Sequence, residues 1–136
     1  MYLLDTNVIS ELRRPRPSPA VVAWLSEAAG SQLFIAAVSF GELQAGVELT
    51  RRQDPAKAAS IEGWIDSVAA SYSIIPMDEV IFSRWARLMH RRSNDFIEDA
   101  MIAATALVRN LTVVTRNLRD FVPFAVPTLD PFHRIA

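Results

Sequence analysis

The 136 residues of this chain predict an α/β sandwich with a mostly parallel sheet of roughly five strands, flanked by helices on both faces. Three observations point there. Short apolar runs alternate with longer stretches of helical spacing. Capping and turn residues separate them. Polar residues fall just after the runs, where ligands bind in such sheets.

The run Tyr2–Leu4 predicts a buried strand ending at Asp5, and Thr6 and Asn7 suit the cap of a helix reaching about Arg13. Ser18-Pro19 predicts a second helix, with Pro at its first position, Val21, Val22, Trp24, Leu25 and Ala28 in amphipathic spacing, and Gly30 as its stop. Residues 33–38 predict the second strand. Ser39-Phe40-Gly41-Glu42 matches a capping box and predicts a helix from Ser39 to beyond Leu49. A fourth helix is expected from Pro55 to about Ser71, and a brief strand from Ser73 to Pro76. Asp78 opens a helix with Val80, Ile81, Trp85 and Leu88 inward, and another runs from about Asp95 to Arg109. Thr112–Thr115 and Ala125–Leu129 supply the last strands. No repeat or linker divides the chain, so one domain is expected over 1–136.

Composition narrows the chemistry. The chain is 51% hydrophobic and 21% charged, as folded proteins are. It has no cysteine, which excludes disulfides and thiolate metal sites. Neither a leader nor an apolar run of membrane-spanning length is evident, so a soluble cytoplasmic protein is expected. The net charge of −1 supplies no global field for nucleic acid. Thirteen of the 14 basic residues are nevertheless arginine, the better bidentate phosphate ligand. They cluster at Arg13, Arg14 and Arg16, at Arg51 and Arg52, at Arg91 and Arg92, and at Arg116 and Arg119. Read alone, each cluster is solvated surface; the clusters matter if they flank an acidic site.

Three acids stand out. Asp5 follows a buried strand and precedes a helix; by itself it is equally a helix cap. Glu42 matches a capping box yet still points at the sheet edge. Asp99 shares a helical face with Ile102, Ala103 and Ala106, beside an alanine-rich surface where an unpaired carboxylate is costly. Asp120 follows the Thr112–Thr115 strand and is a further acid for the same edge, with Thr115, Asn117 and Asn7 as auxiliary polar groups. Converging carboxylates repel and raise one another's pKa unless a cation lies among them. With hard oxygen donors, that cation would be Mg²⁺ or Mn²⁺ rather than Zn²⁺. His90 and His133 lack a metal-type partner four residues on and are expected at the surface. Such a site suits phosphodiester hydrolysis, with nearby arginines holding flanking phosphates. Trp24, Trp64 and Trp85 are expected in the core.

Four segments together resemble the PIN-domain family, and within it the VapC-type toxins of toxin–antitoxin operons. They are Leu3-Leu4-Asp5-Thr6-Asn7, Ser39-Phe40-Gly41-Glu42-Leu43 with Gly46, Asp99–Ala106, and Thr115-Arg116-Asn117-Leu118-Arg119-Asp120-Phe121, spread over essentially the whole chain. The resemblance implies a PIN fold and a Mg²⁺- or Mn²⁺-dependent endoribonuclease. Asp5, Glu42 and Asp99 would form its acidic triad, and Asp5 and Asp99 would be the principal metal ligands. The family's fourth acidic position falls at Asn117 or Asp120. The resemblance also implies an RNA substrate, a homodimer and a cognate antitoxin that completes a hetero-oligomer. The competing reading is a catalytically silent PIN-like module that binds RNA or a partner. A haloacid-dehalogenase-type phosphatase would want a second Asp where this chain has Asn7, and a response-regulator receiver would want a Lys after a late strand, whereas Lys57 is the one lysine.

Overall fold

The computed structural model describes residues 1–133; the last three positions of the expected domain lie outside them. Five parallel strands, β1 (Tyr2–Leu4), β2 (Leu33–Ala36), β3 (Ser73–Ile75), β4 (Thr112–Val114) and β5 (Thr128–Leu129), form one sheet in the order β3-β2-β1-β4-β5. β1 pairs Leu3 with Phe34 on one side and with Val113 on the other. The chain first builds outward from β1 through β2 to β3, then returns to the other side of β1 for β4. The topological switch therefore lies between β1 and β4, and a crevice opens at the carboxyl ends of such strands.

Strand side chains alternate between faces, and the packing shows it directly. Leu3, Ala36, Ile75 and Val113 join one core with Ile81 of α5 (Glu79–Met89) and with Ile102, Ala103 and Ala106 of α6 (Ile97–Arg109). Their neighbours Leu4, Ile35 and Val114 join the opposite core. There they meet Val8 and Ile9 of α1 (Thr6–Glu11), Val21 and Trp24 of α2 (Pro19–Glu27) and Val68 of α4 (Pro55–Ser71). β1 is buried on both faces, which is why it reads as an unbroken apolar run. α3 (Ala37–Arg51) packs along α4, with Val47 clustered with Ala58 and Ile65. Trp24 is buried, and Trp64 and Trp85 pack at core margins, as expected.

Four local expectations need correcting. β2 ends at Ala36, and α3 starts at Ala37 with no side-chain cap, so Ser39 is not the cap. The pairing of β2 with β3 stops at Ala36, which frees the chain to coil there. α1 is capped by Asp5, not by Thr6 or Asn7, and ends at Glu11. α6 proper begins at Ile97, after a 3₁₀ turn over Asn94–Phe96. The last strand is only Thr128–Leu129, because Leu118–Phe124 forms a 3₁₀ segment and Ala125 turns left-handed at φ 53°.

Candidate active site

Asp5 sits one residue beyond β1, and its backbone N–H extends the ladder to the Val114 carbonyl at 2.9 Å. Its side chain is almost fully buried and held by three donors. Oδ1 accepts from the Thr6 N–H at 2.7 Å, and Oδ2 accepts from the Thr115 hydroxyl at 2.8 Å and from Asn7 Nδ2 at 3.1 Å. Thr115, just past β4, spends its single proton on Asp5 and accepts the Asn117 N–H at 3.0 Å. Asn7 also accepts the Arg116 N–H at 3.2 Å. Asn7 and Thr115 thus stitch the two strand ends together across the switch point. Burial drives the Asp5 pKa up; the Thr115, Thr6 and Asn7 bonds pull against it, and the Asp120 charge adds to the rise.

Glu42 lies in the second turn of α3, the helix following β2, on the other side of β1 from Thr115. It accepts the Thr6 hydroxyl at 2.9 Å. Burial, with the charges of Glu98, Asp5 and Asp99, pushes its pKa up to about 7 despite that bond. One helical turn's register places the Ser39 hydroxyl on the same side of α3; it is fully buried and has no hydrogen-bond partner among the described residues.

Asp99 reaches the site from α6. A helix feeding a parallel strand ends at that strand's amino end, so its start lies toward the carboxyl edge. Two contacts fix this start. Trp85 Nε1 of α5 donates to the Ile97 carbonyl at 3.1 Å, and Arg92 donates to the Pro123 carbonyl at 3.0 Å, tying the preceding loop to the 3₁₀ segment that carries Asp120. Asp99 accepts no hydrogen bond among the described residues. Burial, followed by the charges of Asp5, Asp120 and Glu98, raises its pKa to about 6.

Asp5, Glu42, Asp99 and Asp120, drawn from four separate segments, therefore share one electrostatic field. They do not yet share one coordination sphere: among the described residues, no three Asp, Glu or His side chains form a group that could hold a metal ion as they stand. Asp120 is exposed at the rim, and its charge reaches both Asp5 and Asp99. Asn117 lies on the same loop and contributes its backbone N–H to Thr115. His90 and His133 are exposed, and His133 stands 3.7 Å from Asp130. Two residues were not anticipated as part of the site. Thr6 was expected only to cap a helix and instead donates to Glu42. Glu98, one step round α6 from Asp99, adds its charge to both Glu42 and Asp99. The adjacent Glu98-Asp99 pair in a first helical turn was the available signal.

A parallel sheet whose switch-point edge gathers one buried and two half-buried carboxylates defines an acid-centred α/β protein. Residues 2–125 match the PIN domain family, and the chain belongs to it. It is 34% identical to the toxin FitB of Neisseria gonorrhoeae, over 98% of this chain and 99% of that protein. It is 30% identical to the VapC ribonuclease Y4jK of Sinorhizobium fredii, over 97% and 98% of the respective chains. Its fold superposes on a chain of the FitAcB crystal structure from N. gonorrhoeae with a TM-score of 0.86, at 33% identity, covering 98% of this chain and all of that one.

Proposed function

We propose that this chain is a divalent-metal-dependent endoribonuclease that acts as the toxin of a toxin–antitoxin pair. The observation that carries this is the meeting of Asp5, Glu42, Asp99 and Asp120 at one sheet edge, against their mutual repulsion. The full-length likeness to a protein named a toxin and to one named a ribonuclease supports the biological role.

The donor chemistry fits a hard cation, since every group offered is a carboxylate, hydroxyl or amide oxygen. Asp5 and Asp99 would be the principal ligands, with Glu42 drawn in; Mg²⁺ is the first choice and Mn²⁺ the second. Bound there, the ion would polarise the scissile phosphoryl group and lower the pKa of an attacking water. The chain's own contribution is positioning. Thr115, Asn7 and the Thr6 N–H hold Asp5 in one orientation and leave a lone pair free on Oδ1. Thr6 steers Glu42 into the crevice. Asp120, at the rim, would hold a solvent molecule. Asp120 fills the family's fourth acidic position better than Asn117, because its charge already acts on Asp5 and Asp99.

The lack of a preformed ligand group is the specific observation favouring the other reading, a silent module that binds RNA or a partner. Incubating the purified chain with total RNA decides between them. Fragments should appear with wild type and Mg²⁺, and not with Asp5→Asn or with EDTA. A wild type that is inert over a broad RNA panel while still binding RNA or a protein partner would favour the silent module. Expression without the antitoxin should arrest growth, and 5′-end mapping soon after induction would identify the cleaved RNA. We further propose a homodimer, which light scattering at micromolar concentration would test. No helix among the described residues is long and apolar enough to cross a membrane.

A further inference from the structure

Two cavities, each of about 390 Å³, border the acidic crevice. One is lined by Thr6, Ser10 and Arg13 from the α1 segment and by Glu42 and Thr50 of α3. The other is lined by Arg116, Asn117, Leu118, Arg119 and Asp120, beyond β4. Since β1 lies between β2 and β4, the cavities flank Asp5 on opposite sides. Each is lined by one acid of the site, Glu42 or Asp120. Each also carries an exposed arginine, Arg13 or Arg119, whose guanidinium makes no hydrogen bond or ion pair among the described residues.

Four other arginines are committed elsewhere. Arg14 pairs with Glu11 at 3.3 Å, and Arg51 pairs with Glu48 at 3.0 Å and Glu62 at 2.7 Å. Arg92 is spent on the Leu88 and Pro123 carbonyls and the Phe124 ring. Arg116 stacks over the Phe132 ring, 4.6 Å from its centroid. Arg13 and Arg119 are uncommitted cations that also line these cavities, the first with Glu42 and the second with Asp120.

We propose that Arg13 and Arg119 bind phosphates of one RNA single strand that crosses the crevice from one cavity to the other. The proposal rests on the nuclease reading above and specifies how its substrate lies. A guanidinium fork matches a phosphate bidentately, and two such contacts offset the repulsion a polyanion meets at the carboxylates. Leu118 and Val122, 39% and 73% exposed on the same 3₁₀ segment as Arg119, offer apolar surface to an unstacked base. A single strand presents such bases and a duplex does not. An acidic protein segment would suit the two arginines equally, and the exposed apolar surface beside Arg119 is what favours a strand with unstacked bases.

The test is binding of a fluorescein-labelled, mixed-sequence RNA single strand by the Asp99→Asn protein, which holds RNA without cutting it, read by anisotropy over a range of KCl. Arg13→Gln and Arg119→Gln should each weaken binding about fivefold to tenfold and lower the log–log salt slope by about 0.7. Their effects should multiply in the double variant. Circular dichroism should be unchanged, since both side chains are exposed and unpartnered among the described residues. Unchanged affinity and slope in the double variant would overturn the proposal. So would a loss confined to binding of an acidic peptide. If wild type cuts no RNA yet the arginine-dependent binding persists, only the catalytic reading falls.

Discussion

The two halves of the acidic crevice are built differently. On the β1–β4 side, Asp5 is enclosed by three donors, and each of those donors is itself tied down by Thr115, Asn7 or the helix start. On the α3–α6 side, Glu42 has one bond, from Thr6, and Asp99 has none among the described residues. The buried Ser39 hydroxyl on α3 is also unpartnered. One half is preorganised by backbone and hydroxyl donors. The other is held mainly through the placement of its helices, with the Thr6 bond to Glu42 the one side-chain hydrogen bond to either acid among the described residues. It retains the repulsion of like charges. On the metal-dependent reading proposed above, this division would give the site one fixed carboxylate and two that a cation would gather, with repulsion relieved on binding.

That contrast can be broken by experiment. The largest effect should come from Asp99→Asn. RNA cleavage with Mg²⁺ should fall on the order of a thousandfold, about 4 kcal/mol of lost transition-state stabilisation. The metal-free variant should nevertheless melt higher than wild type at pH 8, because a repelling charge is gone. Lower stability together with lost activity would mean that Asp99 is a structural partner instead.

Next is Thr115→Val, a change at a fully buried position that strips Asp5 of a donor and the Asn117 N–H of its acceptor. Denaturant unfolding should show a loss of about 1–3 kcal/mol, and Thr115→Ser should recover most of it. An unchanged midpoint for the valine variant would erase the rigid half of the comparison.

The third prediction concerns pH. Folding raises Glu42 from an ordinary 4.5 to about 7 and Asp99 from 3.8 to about 6. A carboxyl whose folded pKa is raised binds protons more tightly when folded. Its stabilising contribution is present below the unfolded value and lost as pH climbs through the folded one. The metal-free protein should therefore lose stability between about pH 4 and pH 7, by roughly 4 °C in Tm. Mg²⁺ should restore more at pH 8 than at pH 5 in differential scanning calorimetry. Equal Mg²⁺ effects at both pH values would show that the ion does not bind among these carboxylates.

The smallest effect is expected from Ser39→Ala, which removes a buried hydroxyl that no group satisfies. Stability should stay level or rise by about 1 kcal/mol. A loss of 2 kcal/mol or more would reveal a partner for that hydroxyl and a less loose α3 side.

Much of this arrangement was legible in the chain before folding. Asp5 closes an apolar run, and Asp99 heads an alanine-rich helical face; both signals are local, made by residues within one or two turns of each other. The capping-box pattern at Ser39-Phe40-Gly41-Glu42 misled for the same reason. A local motif competes with the sheet, and α3 starts where the β2–β3 ladder ends, two residues earlier than the motif implied. Thr6 as a donor to Glu42, 36 positions away, had no sequence signal at all.

By itself, then, the amino-acid sequence determined which residues are acids, which runs are strands and which helical faces are apolar, because periodicity and capping act over a few residues. Only the tertiary structure decided which acids meet, which polar groups hold them and which arginines stay uncommitted. Those outcomes depend on strand order: β4 had to return beside β1 to bring Thr115 within 2.8 Å of Asp5 across 110 positions of chain. No pattern within a few turns of chain encodes a contact over that separation.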